Sequence, residues 1–303
     1  MALRYSRHRG RQLQTKFDNN DSPDSNSTPD FLRRYGHRIW DRIYYSRIRS
    51  QKISETTITE NLIFDFWQQA HIERLPIWIY EAKEEYRNGN DLEIFVETKM
   101  GYLFLACQAK IISTAGNYPK ITHRTAGQYQ IDSLLAYAEK MGGYPNYLFY
   151  NHLPDFRMRR ELQDGSQFEA NDYGLTCCPA KYIKANYFQK EASLRKRRNS
   201  IPKFEQLHPG EAIPLFSLIQ VLRMGSIIEP IKKGIEDKSI SLKFYSRKEL
   251  IDRYPYENIT PLMKVSGIPN LTDLESGEPQ IKRKIKKKEG YNPKYRILFA
   301  LDG

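Results

Sequence analysis

The segment NGNDLEIFVETKMGYLFLACQAK, from Asn88 to Lys110, predicts two β-strands joined by a tight turn. Its opening Asn-Gly pair is a turn signal. From Asp91 to Glu97 every second residue is a branched apolar one, as in a strand that presents one face to a core. After the turn at TKMG, the run from Tyr102 to Ile112 is nearly all apolar, which is typical of a strand buried on both faces. The fold can be predicted outward from this hairpin.

Polar side chains that could carry chemistry lie at one end of the hairpin. Residues two apart share a face of a strand, so Asp91 and Glu93 align, as do Gln108 and Lys110. If the two strands pair, these four side chains meet at one edge. Mg²⁺ held by carboxylates can activate water and offset charge at a phosphodiester, and a nearby lysine can orient or deprotonate that water. The hairpin therefore indicates a metal-dependent phosphodiesterase, and a hairpin with solvated ends is the alternative.

Helices and further strands are predicted on both sides of the hairpin. Asp30 is the expected N-cap of a first helix, and Ser54 is expected to begin a second one. The segment 77–82 fits either a strand or a short helix. A helix is predicted at QYQIDSLLAYAEKMGG, residues 128–143, and a buried strand at 146–151. This order of elements predicts an α/β core.

The chain divides into three parts by its composition. Residues 1–29 are rich in Asn, Asp and Ser and are predicted to be a flexible basic and polar arm. Residues 30–180 are predicted to form the core domain, which begins with a helical segment. In residues 181–303 the patterns are weaker. This part is predicted to add α/β elements as a C-terminal extension that packs on the core or binds a substrate or partner.

The composition favours a polyanionic partner. The 303 residues carry a formal net charge of +12 with a pI near 9.4, and basic residues cluster at 31–49, 195–198 and 282–288. No apolar run approaches the roughly 18 residues of a membrane-spanning helix, so no membrane is expected as a partner. Three cysteines without CxxC spacing fit a reducing cytoplasm rather than a zinc or disulfide framework. The sequence also lacks HExxH, a Walker-type phosphate loop and a GxSxG elbow.

The hairpin and its neighbours resemble the PD-(D/E)xK restriction-endonuclease-like nuclease superfamily. Asp91 matches the aspartate of the second strand, and Gln108-Ala109-Lys110 matches the motif of the third strand in its Gln-x-Lys variant. The resemblance covers roughly residues 50–151 and extends to an uncharacterised bacterial family within the superfamily. It implies a helix–strand–strand–strand–helix–strand core with a mixed central sheet flanked by helices. It also implies a Mg²⁺ cofactor, for which Mn²⁺ can substitute.

The metal ligands that the resemblance implies are carboxylates and one amide. Asp91 is the central ligand. Gln108 is neutral where most members of the superfamily have an acid, so one carboxylate is missing. A glutamate near the start of the first core helix would compensate, and Glu55 fits this position best and Glu60 second. Both glutamates can also be explained without a metal, because a negative charge near a helix N-terminus interacts favourably with the helix dipole. Glu93, which lies on the same strand as Asp91, is a further candidate to supply the missing carboxylate.

The remaining site residues implied by the resemblance act on the substrate. Gln108 would position the attacking water or the scissile phosphate, and Lys110 would stabilise the attacking hydroxide and the charge developing on phosphorus. Gln130 corresponds to the glutamine of a Gln-x-x-x-Tyr pattern that RecB-like members carry on the helix after the third strand. Tyr137 follows seven rather than four residues later, on the same helix face, and suits the core equally well. Asp91, Glu55, Gln108, Lys110 and Gln130 are the expected catalytic residues.

We therefore expect a cytoplasmic Mg²⁺-dependent endonuclease that hydrolyses phosphodiester bonds of DNA, with double-stranded DNA as its main partner. A regulatory protein partner or homo-oligomerisation is also expected, and an effector role in bacterial phage defence or in restriction follows from the resemblance alone. Three alternatives stay open. They are a weakened nuclease fold that binds nucleic acid or a protein partner, an RNA-cleaving toxin, and a protein–protein adaptor. The neutral Gln108 keeps the first of these open.

Overall fold

In the part of the chain that the structure describes, nine strands form one sheet with helices on both faces. The computed structural model describes residues 27–72, 75–82, 91–125, 127–154, 156, 168–188, 200–225, 242–252, 256–258 and 295–300. Apart from residues 27–29, the predicted N-terminal arm lies outside this part. The basic runs at 195–198 and 282–288 lie outside it as well.

Two long helices precede the sheet and pack against one of its faces. They are α1 Thr28–Ile48 and α2 Glu55–Ile72. The prediction that Asp30 caps α1 was wrong. The helix begins three residues earlier because the Ser27 hydroxyl accepts a hydrogen bond from the Asp30 backbone N–H, at 3.3 Å. Ser54 lies at the start of α2 as predicted, and its hydroxyl accepts from the Thr57 backbone N–H at 3.0 Å.

The remaining elements follow in chain order. The strands of the large sheet are β1 Ile77–Ala82, β2 Asp91–Thr98, β3 Gly101–Ile111, β6 Tyr144–Tyr150, β7 Leu175–Pro179, β8 Ile213–Pro214, β9 Phe244–Tyr245, β10 Tyr256–Asn258 and β11 Tyr295–Phe299. A separate small hairpin consists of β4 Arg124–Thr125 and β5 Gln128–Tyr129. The later helices are α3 Gln130–Met141, α4 Ala180–Tyr187, α5 Phe204–Leu207, α6 Leu215–Arg223 and α7 Arg247–Asp252. The segment 77–82 is thus a strand.

The large sheet is mixed. Its strand order is β10-β1-β11-β2-β3-β6-β7-β8, and β9 pairs with β3. The pair β2–β3 is antiparallel, whereas β3–β6 and β11–β2 are parallel. The predicted α/β class, with a mixed central sheet flanked by helices, is confirmed. β11 comes from the predicted C-terminal extension, yet it lies between β1 and β2 in the middle of the sheet.

Each face of the sheet has its own apolar core. Ile94 of β2 packs in the core that α1, α2 and α6 share. Phe95 of β2 and Phe104 of β3 belong to the opposite core, with α3 and α4, and their rings stack with centroids 4.7 Å apart. The alternation predicted for β2 is therefore confirmed. Because residues two apart share a face, Gln108 and Lys110 lie on the same side of β3 as Phe104.

Candidate active site

The central hairpin brings its polar residues to one edge of the sheet. The antiparallel register pairs Asp91, at the start of β2, with Gln108 of β3. Residues directly opposite each other share a face of the sheet. Lys110 is two residues further along β3 and lies on the same face. The predicted hairpin is confirmed, and the Asp91 side chain lies outside the described residues.

Lys110 is buried at this edge, with 3% of its surface exposed, and so is Gln108. The Lys110 Nζ donates a hydrogen bond to the Gln130 Oε1 at 3.1 Å. Gln130 is the first residue of α3, which packs against β3 and β6. Burying an ammonium group is costly without polar partners, so this hydrogen bond stabilises both Lys110 and the start of α3 against the strand. Two residues predicted from the sequence are therefore in direct contact.

Glu55 lies at the same end of β3. It is the first residue of α2 and is 3% exposed. Its Oε1 accepts a long hydrogen bond, at 3.5 Å, from the backbone N–H of Ile111, which directly follows Lys110. The Lys120 ammonium lies 3.6 Å from the same oxygen and is largely exposed. Glu60 is exposed on the surface of α2, so Glu55 is the glutamate that reaches the end of β3.

Glu93 is engaged in a buried ion pair. One carboxylate oxygen accepts hydrogen bonds from the Arg296 guanidinium, with 2.8 Å between Nε and Oε2, and the other accepts from the Tyr137 hydroxyl. Glu93 and Arg296 are at most 1% exposed. The same guanidinium donates to the Leu250 carbonyl at 3.0 Å. This network joins β2, α3 and β11, and a carboxylate with two such partners is a poor candidate for a metal ligand.

The donor chemistry at the edge fits a hard divalent cation. Mg²⁺ prefers oxygen ligands and is typically bound through one or two carboxylates and water. Glu55 supplies a buried carboxylate, position 91 supplies an aspartate, and Gln108 supplies an amide oxygen. These three residues would hold the ion. No trio of His, Cys, Asp or Glu side chains suited to a metal occurs among the described side chains, which do not include that of Asp91.

Basic and aromatic side chains surround the edge. Arg47 of α1 donates to the backbone carbonyls of Ile112 and Ser113, at 3.2 and 2.9 Å, just beyond the end of β3. It also donates to the His152 carbonyl at 2.8 Å. Burial and the neighbouring Arg47 charge lower the pKa of His152 to about 4, so its imidazole is neutral at pH 7. On the other side, the Arg124 guanidinium lies 4.0 Å from the centre of the Tyr129 ring.

Three residues of this region were not predicted from the sequence. Lys120 follows β3 by nine residues in a short 3₁₀ helix, and its only sequence signal is a basic residue in the loop between β3 and α3. Arg47 is one of many arginines in α1. Arg296 lies far along the chain from Glu93, so no local pattern indicates their contact. The charged Arg296 within the otherwise apolar strand YRILF is the one sequence signal that a buried partner was needed.

Comparison with known proteins places the chain in a family but assigns it no activity. Among the described residues, no helix has both the length and the apolar character that crossing a membrane requires. No curated protein and no solved structure gives a significant match. A family model described as a family of unknown function matches residues 28–299. Because that match covers nearly the whole chain, the protein belongs to the family of unknown function DUF6615.

Proposed function

We propose that the protein is a Mg²⁺-dependent endonuclease of the PD-(D/E)xK class that hydrolyses phosphodiester bonds of DNA. One observation supports this proposal above the others. Position 91 is paired with Gln108, and Lys110, Gln130 and Glu55 adjoin the same end of β3. These residues come from α2, β2, β3 and α3, the elements in which the superfamily carries its site.

The order of elements supports the same proposal. From α2 onward, apart from the small β4–β5 hairpin that precedes α3, the elements α2-β1-β2-β3-α3-β6 follow the helix–strand–strand–strand–helix–strand order of the superfamily, and the last strand is parallel to β3. β11 between β1 and β2 departs from that simple core. The fold class is therefore compatible with a restriction-endonuclease-like core.

In the proposed reaction a water molecule loses a proton to solvent as its oxygen attacks phosphorus, the phosphorus–oxygen bond to the leaving sugar breaks, and a proton from solvent neutralises the leaving oxygen. When bound, Mg²⁺ supplies Lewis acidity at the scissile phosphate. Lys110 offsets negative charge on the phosphate as it develops, and Gln130 fixes the position of the Lys110 ammonium. The Gln108 amide orients the water or the phosphate. Glu93 is left out of the metal site because Arg296 and Tyr137 already hold it.

The substrate and setting follow from charge and resemblance. The net charge of +12 favours a nucleic acid, and duplex DNA is the substrate that the superfamily resemblance suggests. A role in phage defence or restriction, a cytoplasmic location, and control by a protein partner or by homo-oligomerisation are further parts of the proposal. The cytoplasmic location rests on the three cysteines without CxxC spacing, and the other parts rest on the resemblance and on the hazard that an uncontrolled nuclease presents to its own cell.

A plasmid-cleavage assay with Mg²⁺ or Mn²⁺ tests the activity. The wild type is expected to nick or linearise the plasmid, and Lys110→Ala is expected to lose that activity. Lys99→Ala is the matched control, because Lys99 is exposed at the opposite end of the same hairpin. A wild type that leaves both plasmid DNA and RNA intact with either ion would refute the proposal. Cleavage of RNA alone would identify an RNA-cleaving enzyme instead.

A second candidate function is supported by Gln108. It is a neutral residue at the position where most superfamily members have an acid, so the site has one fewer carboxylate for a metal. A nuclease fold that only binds nucleic acid would have this property. A wild type that shifts DNA in a gel but does not cut it, and a Gln108→Glu variant that does cut, would favour this function.

A further inference from the structure

The C-terminal turns of α1 expose large apolar side chains, whereas the large apolar side chains nearer its N-terminus are buried. Phe31 and Tyr35 are buried, whereas Tyr44, Tyr45 and Ile48 are 42%, 56% and 60% exposed. The rings of Tyr44 and Tyr45 are adjacent, with centroids 5.2 Å apart and planes tilted by 59°. These two tyrosines form an aromatic corner that no core of the described structure covers.

This aromatic corner lies beside the candidate active site. Arg47, one turn from Tyr44, binds the backbone carbonyls of Ile112 and Ser113, immediately beyond the end of β3. Tyr44 also packs on the His152 ring, with centroids 5.1 Å apart. His152 follows the end of β6, the parallel neighbour of β3. The end of α1 that carries the corner therefore contacts the segments that follow β3 and β6. Both strands end at the edge of the sheet where Lys110 lies.

The charge around the corner is positive. From residue 38 to residue 52 the chain has five basic side chains and one acidic one, Asp41. Arg49 and Lys52 are exposed, and the largely exposed Lys120 adjoins Glu55 at the site. Exposed aromatic rings between basic side chains fit a nucleic-acid strand, since bases stack on the rings and phosphates contact the charges. An apolar protein partner would not use these charges.

We propose that Tyr44 and Tyr45 stack on unpaired bases of the nucleic acid bound at this edge, so that the protein prefers DNA with a single-stranded segment next to the cleaved bond. This inference rests on the proposed nuclease function. In a duplex both faces of each internal base are covered by neighbouring base pairs, and only an unpaired or flipped base can present its face to a tyrosine. Duplex DNA with a flap, gap or overhang and a single strand share this feature.

Binding without cleavage tests the stacking surface separately from the nuclease. The full chain is titrated in EDTA against a single-stranded oligonucleotide that contains 2-aminopurine, whose fluorescence reports stacking, and against a blunt duplex. The Tyr44→Ala/Tyr45→Ala variant is expected to bind the single strand about tenfold or more weakly and to lose the fluorescence change. The matched Tyr44→Phe/Tyr45→Phe variant keeps the rings and is expected to behave like the wild type.

Salt dependence distinguishes stacking from charge. The alanine variant is expected to keep the wild-type slope of log affinity against log salt concentration, because it removes no charge. Arg49→Ala/Lys52→Ala is expected to lower that slope by up to about two units. Equal single-strand binding by the wild type and the tyrosine-to-alanine variant would overturn the inference. A change in oligomeric state on removing the tyrosines, with unchanged binding, would also overturn it and identify an interface between copies.

The two proposals fail in different ways. Tyrosine-dependent binding by a protein that never cleaves would refute the nuclease and leave the stacking surface in place. Cleavage of a blunt duplex that is the same with and without the tyrosine rings would support the nuclease and refute the stacking surface.

Discussion

The side chains of Lys110 and Gln130 are joined by a hydrogen bond of 3.1 Å between the end of β3 and the first turn of α3. Lys110 is buried, so its ammonium depends on polar protein groups rather than on bulk water. The position of α3 therefore determines the position of the charge that the proposed reaction needs.

Replacing Gln130 with alanine should reduce cleavage without abolishing folding. Because Gln130 acts through Lys110, we expect kcat to fall by about 10-fold to 100-fold, the range typical of residues that orient a functional group. KM should change little. Loss of this partner for a buried donor should lower the free energy of unfolding by about 1–3 kcal/mol. Single-turnover kinetics and urea denaturation measure the two effects, and wild-type kcat in this variant would contradict the role given to Gln130.

Replacing Glu55 with glutamine should weaken metal binding. The change removes a buried carboxylate but keeps the size of the side chain, so we expect Mn²⁺ affinity to fall by about tenfold or more. Titration of free Mn²⁺ followed by electron paramagnetic resonance measures this directly. Glu60→Gln is the matched control on the exposed surface of the same helix. Equal Mn²⁺ affinity in both variants would remove Glu55 from the proposed metal site.

Breaking the Glu93–Arg296 ion pair should strongly destabilise the fold. Arg296→Met leaves the Glu93 carboxylate buried without its cation, which typically costs about 3–5 kcal/mol. Arg296→Met combined with Glu93→Gln should cost less than the sum of the single changes. Urea denaturation of the four proteins gives the coupling free energy. Additive effects would contradict the contact.

The ion pair between Lys243 and Glu249 provides a surface control for this cycle. Its two charged groups are 3.0 Å apart, but both side chains are substantially exposed. Lys243→Ala is therefore expected to change stability much less than Arg296→Met.

Stability should fall as the solution becomes acidic, because His208 is buried in its neutral form. Burial lowers its pKa from 6.5 to about 3. Its Nδ1–H donates to the Phe204 carbonyl and its Nε2 accepts from the Thr176 hydroxyl, both at 2.9 Å. Below pH 6.5 the unfolded chain binds a proton that the folded chain does not. The free energy of unfolding should therefore drop by up to about 1.4 kcal/mol for each pH unit down to about pH 3.

Denaturation curves between pH 4 and pH 8 check this dependence. His208→Gln should reduce the slope below pH 6.5 without abolishing it, because the lowered pKa of His152 contributes to the same dependence down to about pH 4, and the substitution will also lower stability at pH 7. His123→Gln replaces an exposed histidine and should leave the slope as in the wild type. A slope that is identical in all three proteins would rule out His208 as its source.

The sequence predicted the hairpin well because its signals are local. Alternation from Asp91 to Glu97 determines which residues of β2 face each core, and the apolar run of β3 determines its burial. Once the two strands pair, the meeting of position 91 with Gln108 follows from the register. The start of α1 was predicted three residues late because Ser27 and Asp30 are both good capping residues, and the sequence alone did not show which one the backbone would use.

The contacts that could not be predicted join distant parts of the chain. Glu93 appeared available as a metal ligand because its partner, Arg296, is 203 residues away. Likewise, the C-terminal extension was predicted to add α/β elements, but a strand pattern gives no information about which strands will be its neighbours in the sheet. The register that pairs β11 with both β1 and β2 depends on packing between remote segments, and periodicity does not encode it.

The position of β11 also affects the order in which the protein can be made and folded. β1 and β2 leave the ribosome long before β11, yet β11 lies between them in the finished sheet. Before β11 is translated, β1 and β2 have no strand between them, and Glu93 has no Arg296 with which to form its ion pair. Assembly of the sheet around the candidate site must therefore wait until translation has passed residue 299.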